Sequence, residues 1–191
     1  LRESHRCMKC PNLPLNLRKP VLLVQHMGTH ILFSRGISPA DNPCGFCFNT
    51  GSTCAIYLKK GKGSHGGIQI DLERSRCPNL ANLSVKRAAN STSSSPCTNA
   101  PLTCPICLPG SPAIWKYNLR EHFRQRHENV NADLHQHLFN ITKDEKTLMK
   151  NIFDLKPRIT KKKRKAAARD NLAISEAHSV RQTLRLVLIS R

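Results

Sequence analysis

The 191-residue sequence predicts several small α+β modules stabilised by bound zinc, rather than one domain built around a large apolar core. Aromatic residues make up only 5% of the chain and the mean hydropathy is −0.43, so little material is available for a single core. Nine cysteines include three C-x2-C pairs, which favours metal binding in a reducing compartment over intrachain disulfides. Zn²⁺ takes four tetrahedral thiolate or imidazole ligands, and its binding supplies folding energy that a small module lacks.

Changes in composition divide the chain into five segments. Residues 1–40 form a zinc-finger-like segment, and residues 41–100 form a Cys-rich module of strands and turns. A two-Cys/two-His zinc finger occupies residues 101–130, and a helical hairpin extends over residues 131–155. Residues 156–191 are basic and are predicted to be largely disordered.

The zinc finger carries the clearest ligand pattern, C-x2-C-x14-H-x4-H, formed by Cys104, Cys107, His122 and His127. Two thiolates on a tight turn and two imidazoles on one helical face supply four tetrahedral ligands. We expect Ser111 to cap the helix and Pro112 to be its first residue. Trp115 and Leu119 then pack against the cysteine turn as a small core.

The N-terminal segment contains a second ligand set, Cys7 and Cys10 followed by His26 and His30, within the pattern C-x2-C-x15-H-x3-H. Residues 19–33 read as a helix, and histidines one turn apart share a face, as one metal ion requires. Two alternatives remain: the histidines pair with the downstream cysteines of the next module, or they are polar positions on a buried helix. We favour the upstream pairing.

The Cys-rich module predicts a four-Cys zinc site formed by Cys44, Cys47, Cys77 and Cys97, with Cys54 as a competing ligand. The alternative is that some of these cysteines are ordinary buried thiols. Residues 54–58 and 68–70 read as short strands flanking a basic hairpin tip.

Two features follow the finger. Thr142 to Glu145 reads as a capping box that opens an amphipathic helix, whose packing onto the finger is favoured over a docking face. A compact basic run then predicts nuclear import, with a solvated linker as the alternative; its residues are Lys161, Lys162, Lys163, Arg164 and Lys165.

Several strings resemble a group of uncharacterised proteins of mushroom-forming fungi that end in one atypical zinc finger. The resemblance covers roughly residues 20–178 and implies a zinc-binding, nuclear protein with no established activity. It would place Cys44, Cys47, Cys54, Cys77 and Cys97 among the usual cysteines of that group. The matching strings are Pro43-Cys44-Gly45-Phe46-Cys47, Tyr57-Leu58-Lys59-Lys60-Gly61-Lys62-Gly63, Ser95-Pro96-Cys97, Cys104-Pro105-Ile106-Cys107, Trp115-Lys116-Tyr117 and Ile174-Ser175-Glu176-Ala177-His178.

A net charge of +19 predicts a polyanionic partner, with DNA favoured. A single finger spans about three base pairs, so we expect weak sequence specificity and steep salt dependence, in a nuclear protein acting in transcription regulation. The predicted contact residues are Lys116, Asn118, Arg120, Glu121, Arg124 and Arg126.

The alternative function is a protein-interaction module that zinc merely scaffolds. An enzyme is not expected, because four protein ligands close the metal site and no catalytic constellation is visible. Neither a membrane nor a small-molecule substrate is expected as a partner.

Overall fold

The computed structural model describes residues 6–10, 13–51, 54–61 and 66–155 and shows a small α+β protein. The described residues through Asp154 form one compact unit. Five helices and two antiparallel strand pairs make up most of the described regular structure, with 3-10 turns at Pro39–Asp41 and Ala132–His135. The elements are α1 Pro20–Phe33, β1 Leu58–Lys60, β2 Ile68–Ile70, α2 Val85–Ala88, β3 Pro101–Leu102, β4 Ile114–Trp115, α3 Lys116–Arg126, α4 Gln136–Phe139 and α5 Lys143–Asp154.

The helix predicted over residues 19–33 is confirmed as α1, which begins with proline at its first position, where no backbone N–H is needed. Its apolar side chains, Leu23, Val24 and Met27 among them, are buried, and the helix packs against α5. Gly28 allows this close packing: a Cβ there would lie 3.2 Å from the Met149 Cε on α5.

The two strand pairs are short, and a backbone hydrogen bond joins the segments that precede β1 and β4. In the first pair Leu58 lies opposite Ile70, so the strand predicted at 68–70 is confirmed, while its partner begins at residue 58 rather than 54. In the second pair Pro101 lies opposite Trp115. The Ala113 N–H donates to the Ile56 carbonyl over 2.7 Å, which ties the segment before β4 to the Cys-rich region.

Helix α3 begins at Lys116, so the prediction that Ser111 and Pro112 open it is wrong. The intervening residues Ile114 and Trp115 pair with β3 instead. Strand pairing and burial of both side chains therefore outweigh the local capping signal.

Two apolar cores lie within this unit. The larger core contains residues from each predicted segment up to 155, for example Leu23, Phe46, Trp115 and Met149. The smaller core lies beside the 104–127 ligands and includes Leu119 and Phe123. The predicted segments thus share one body and do not form separately packed modules.

The predicted helical hairpin is divided between the two cores. Helix α4 packs on α3, whereas α5 packs on α1. His135 stacks on Phe123 with ring centroids 5.2 Å apart, so the 3-10 turn before α4 also joins the smaller core.

None of the helices in the described ranges has both the length and the apolar character needed to cross a bilayer. The predicted disordered tail, 156–191, and its import signal at Lys161–Lys165 lie outside the described residues.

Candidate metal centres

Three groups of Cys and His side chains converge in the structure, each with four ligand atoms within 4.8 Å of one another. We call them the first, second and third clusters. The first contains Cys7, Cys10, His26 and His30; the second contains Cys44, Cys47, Cys54 and Cys77; and the third contains Cys104, Cys107, His122 and His127. The first and third match the predicted ligand sets, and the second differs by one residue.

Distances within the clusters fit a single tetrahedral zinc ion. Zn–S bonds of about 2.3 Å and Zn–N bonds of about 2.0 Å give tetrahedron edges of about 3.8 Å between sulfurs and about 3.5 Å between sulfur and nitrogen. The Cys44 and Cys77 sulfurs are 3.9 Å apart, and the Cys104 Sγ lies 3.5 Å from the His127 Nε2. A disulfide would need about 2.05 Å. The donor atoms and their spacing therefore fit zinc.

The first cluster joins an N-terminal loop to α1. The Nε2 atom of His30 lies 3.6 Å from the Cys7 Sγ and 3.3 Å from the Cys10 Sγ. Its other ring nitrogen, Nδ1, is 2.6 Å from the Ser34 hydroxyl, which fixes the orientation of the imidazole. His26 stands one turn earlier, with its ring 4.9 Å from that of His30. The structure thus brings together the upstream pairing and not the downstream alternative.

The second cluster is centred on the turn from Cys44 to Cys47. The Phe46 N–H donates to the Cys44 Sγ over 3.4 Å, and the Asn79 amide donates to the Phe46 carbonyl over 3.0 Å. Cys54 is the fourth ligand candidate, its Sγ 3.4 Å from that of Cys47. Hydrogen bonds from neighbouring thiols, Cys44 first, hold the pKa of Cys47 well below its usual range, whereas the pKa values of Cys44 and Cys54 are raised, chiefly by hydrogen bonds with Cys47 and Cys44 respectively. The four neighbouring thiols thus favour a single thiolate, on Cys47.

The sequence predicts Cys97 as a ligand of this site, and the structure places it elsewhere. Its side chain is buried in the larger core, where Sγ lies 3.8 Å from the Val24 carbonyl oxygen and 3.5 Å from the Tyr117 hydroxyl oxygen. Burial raises the pKa of the Cys97 thiol to about 11, so it stays protonated at neutral pH. Cys97 is a buried core thiol, and Cys54 takes the position predicted for it.

The third cluster draws its histidines from the end of α3. The Cys107 Sγ lies 3.3 Å from the Nε2 atoms of both His122 and His127. Helix α3 ends at Arg126, and His127 has a non-helical φ of −137°. This departure from helical geometry accommodates the long H-x4-H spacing. Burial lowers the pKa of His122 to about 4, which favours the neutral imidazole that a metal binds.

Two of the predicted DNA-contact residues of α3 make contacts within the protein instead. Asn118 is buried, and its amide donates to the Pro43 carbonyl over 2.8 Å, which disfavours the predicted contact of this side chain with DNA. Lys116 is half-buried, and its ammonium donates to the Thr98 hydroxyl over 2.8 Å. Burial lowers the pKa of Lys116.

The remaining predicted contact residues of α3 are more exposed to solvent than Asn118 and Lys116. Glu121 is partly buried and pairs with Arg124 over 2.9 Å. Arg120, Arg124 and Arg126 are exposed.

A buried polar network at the centre of the larger core has no counterpart in the sequence predictions. Glu145 on α5 is 2% exposed, and its carboxylate accepts hydrogen bonds from the Thr98 N–H and hydroxyl over 2.7–2.9 Å. The Tyr117 hydroxyl also donates to it. The capping box is only half formed: the Glu145 N–H donates to the Thr142 hydroxyl, while the carboxylate points into the core.

Comparison with protein-family models, curated proteins and solved structures finds no match. The functional assignment therefore rests on the chemistry of the three clusters and on the charge distribution of the chain.

Proposed function

We propose that the protein binds three structural Zn²⁺ ions and that the folded unit they hold binds nucleic acid through the phosphate backbone. The agreement between the cluster distances and the edges of a zinc tetrahedron carries this proposal. We further propose that the third cluster is an atypical two-Cys/two-His zinc finger and that the second cluster is a four-Cys zinc site.

The donor chemistry favours structural zinc over other metals and over catalysis. Thiolates with imidazoles in tetrahedral sets of four suit Zn²⁺, whereas Ca²⁺ and Mg²⁺ prefer oxygen ligands. A catalytic zinc keeps one position for water or substrate, and four protein ligands leave no such position. We therefore propose that the protein is not an enzyme.

The charge of +19 supports a nucleic-acid partner. Because Asn118 is buried and Lys116 is engaged by Thr98, we propose that α3 does not read bases in the major groove. Binding would then depend on phosphate contacts and show little sequence preference. The basic run at Lys161–Lys165 supports nuclear import of the chain.

Native mass spectrometry of the full chain tests the zinc proposal. We expect three Zn²⁺ per chain, and loss of helical circular dichroism when a chelator removes them. A metal-free protein that retains its helicity would contradict structural zinc. Two ions, with one cluster empty, would limit the proposal to the remaining clusters.

Titrating salt in a binding assay with duplex and single-stranded DNA tests the nucleic-acid proposal. We expect the logarithm of the affinity to fall linearly with the logarithm of salt concentration, by about 0.9 for each phosphate neutralised on duplex DNA. Sequence-selective binding that persists at high salt would contradict backbone binding. An affinity unchanged by salt would do so as well.

A cleft between the second and third clusters favours a second candidate function, zinc-scaffolded protein interaction. This cleft has a volume of about 640 Å³, and Leu108 and Ile106 at its edge are 80% and 40% exposed. Exposed apolar side chains beside a concave surface are typical of interaction sites. A Leu108→Ser variant that loses protein partners but keeps DNA affinity would favour this alternative, and Leu134→Ser, 73% exposed outside the cleft, is the matched control.

A further inference from the structure

A pocket of about 330 Å³ lies where the segment before α1 meets α2, and none of the ligands of the three clusters lines it. Three cationic residues line it: Arg18 and Lys19 from one segment and Arg87 from the other. Asn82 and Ser84 add an amide and a hydroxyl. Folding therefore brings three positive charges to one cavity from segments more than 60 residues apart in the sequence.

These positive charges lack a counterion in the part of the chain that the structure describes. No acidic residue is among the described residues that line the pocket. The ion pairs seen there involve Lys59, Arg124 and Lys150, and none involves Arg18, Lys19 or Arg87. Three like charges around one concave surface repel each other, and their potentials add inside the cavity. An anion entering the pocket relieves that repulsion.

The remaining pocket surface suits a phosphodiester group attached to a sugar. The Ser84 hydroxyl accepts a hydrogen bond from the Arg87 N–H over 3.4 Å and can still donate its own proton to a phosphate oxygen. Pro20, Val21 and Leu22 supply an apolar wall, and Leu22 is 49% exposed. Arginine guanidinium groups match phosphate oxygens in paired hydrogen bonds.

The distribution of charge along the chain points to the same region. Residues 1–100 contain 13 Lys and Arg against 4 Asp and Glu, whereas residues 101–155 contain 7 against 6. The segment that carries α3 is thus almost neutral in sum, whereas the segments that form the pocket belong to the part of the sequence with most of the excess positive charge before residue 156. This excess favours attraction of a polyanion to the residues of those segments.

We propose that the pocket formed by Arg18, Lys19 and Arg87 is a phosphate-binding site and is the main contact of the folded unit with the nucleic-acid backbone. The assignment to nucleic acid rests on the proposed function, whereas the phosphate site stands on the pocket itself. This proposal places the main nucleic-acid contact at the pocket, whereas the sequence predicts that contact on α3.

Two triple variants with equal loss of charge test the location. One is R18Q/K19Q/R87Q, and the matched control is R120Q/R124Q/R126Q on α3, both in the full chain so that the basic tail contributes equally. Zinc content and helicity confirm that each variant folds. Binding of a fluorescent 12-nucleotide oligothymidylate is measured by anisotropy between 50 and 200 mM salt.

We expect the affinity of the pocket variant to fall at least about tenfold, and the slope of log affinity against log salt to fall by about 0.7 for each phosphate that is no longer neutralised. The affinity of the α3 variant should fall less than about threefold, because it removes the same charge from a surface that does not hold a phosphate. Equal decreases in the two variants would show that net charge alone matters, and would overturn the inference. A larger decrease in the α3 variant would do so too.

Titration with inorganic pyrophosphate separates the phosphate site from the nucleic-acid function. We expect pyrophosphate to shift the backbone amide resonances of Val21, Leu22 and Ser84 in the wild-type protein and not in the pocket variant. If these shifts occur while the oligonucleotide does not bind, the phosphate site stands and the nucleic-acid function falls. If the oligonucleotide binds while these resonances do not move, the site is refuted and the nucleic-acid function survives.

Discussion

Replacing Glu145 with glutamine is expected to destabilise the folded unit strongly, although no cluster is touched. The carboxylate accepts from the Thr98 N–H, the Thr98 hydroxyl and the Tyr117 hydroxyl while 2% exposed. An amide keeps one acceptor oxygen and turns an NH2 group toward these donors. Hydrogen bonds to a charged group contribute about 1.5–3 kcal/mol each, and their contributions are not additive, so we expect the free energy of unfolding to fall by about 3 kcal/mol.

Urea unfolding in excess zinc measures this destabilisation, with Asp144→Asn as the matched control. Asp144 is exposed on the same helix one residue earlier, and its negative charge near the start of α5 contributes only about 0.3–1 kcal/mol. For a protein of this size a destabilisation of about 3 kcal/mol in Glu145→Gln corresponds to a melting temperature about 6–12 °C lower.

The reasoning is refuted if Glu145→Gln destabilises by less than about 1 kcal/mol, or by no more than Asp144→Asn. A double-mutant cycle with Tyr117→Phe provides a second check. Because Tyr117 and Glu145 share one hydrogen bond, the two destabilisations should couple by at least about 0.5 kcal/mol. Simple additivity would show that the bond contributes little to stability.

Two further predictions concern single residues. Cys54→Ser should lower the zinc content by one ion, because Cys54 belongs to the second cluster. Cys97→Ser should keep every ion, because the new hydroxyl replaces a buried thiol outside the clusters. Equal zinc content in the two variants would refute the assignment of Cys54. Gly45→Ala should destabilise by more than about 3 kcal/mol, because its Cβ would overlap ring carbons of the buried Trp115. Gly67→Ala, with nothing within 4 Å, should destabilise by less than about 0.5 kcal/mol in the same urea assay.

The sequence is most informative where ligands lie close together along the chain. A C-x2-C turn brings two sulfurs together by itself, and histidines four apart on a helix share a face, as Cys7, Cys10, His26 and His30 illustrate. In the second cluster, by contrast, the sequence offers both Cys54 and Cys97 to the turn from Cys44 to Cys47. The packing of Cys97 against α1 and Tyr117 shows that Cys54 is the fourth ligand candidate. The residues next to Cys97 in the sequence do not predict that packing.

Local signals fail where long-range contacts are stronger. Ser111 and Pro112 have the residue types of a helix start, yet β-pairing of Ile114 with Leu102 delays α3 by a full turn. Asn118, a predicted DNA-contact residue, instead donates a hydrogen bond to the Pro43 carbonyl in the Cys-rich region. Periodicity identifies a helical face but not the surface that covers it.

The position of Trp115 explains why the clusters belong to one folded unit. Its ring packs on Phe46 at a centroid distance of 4.9 Å, on the turn that carries Cys44 and Cys47 of the second cluster. Two turns along the helix that follows it, His122 belongs to the third cluster. A change in the ligation of either cluster therefore shifts a rigid helix that also supports the other. Independent fingers joined by linkers would lack this connection, so we expect removal of zinc from one of these two clusters to weaken retention of zinc in the other.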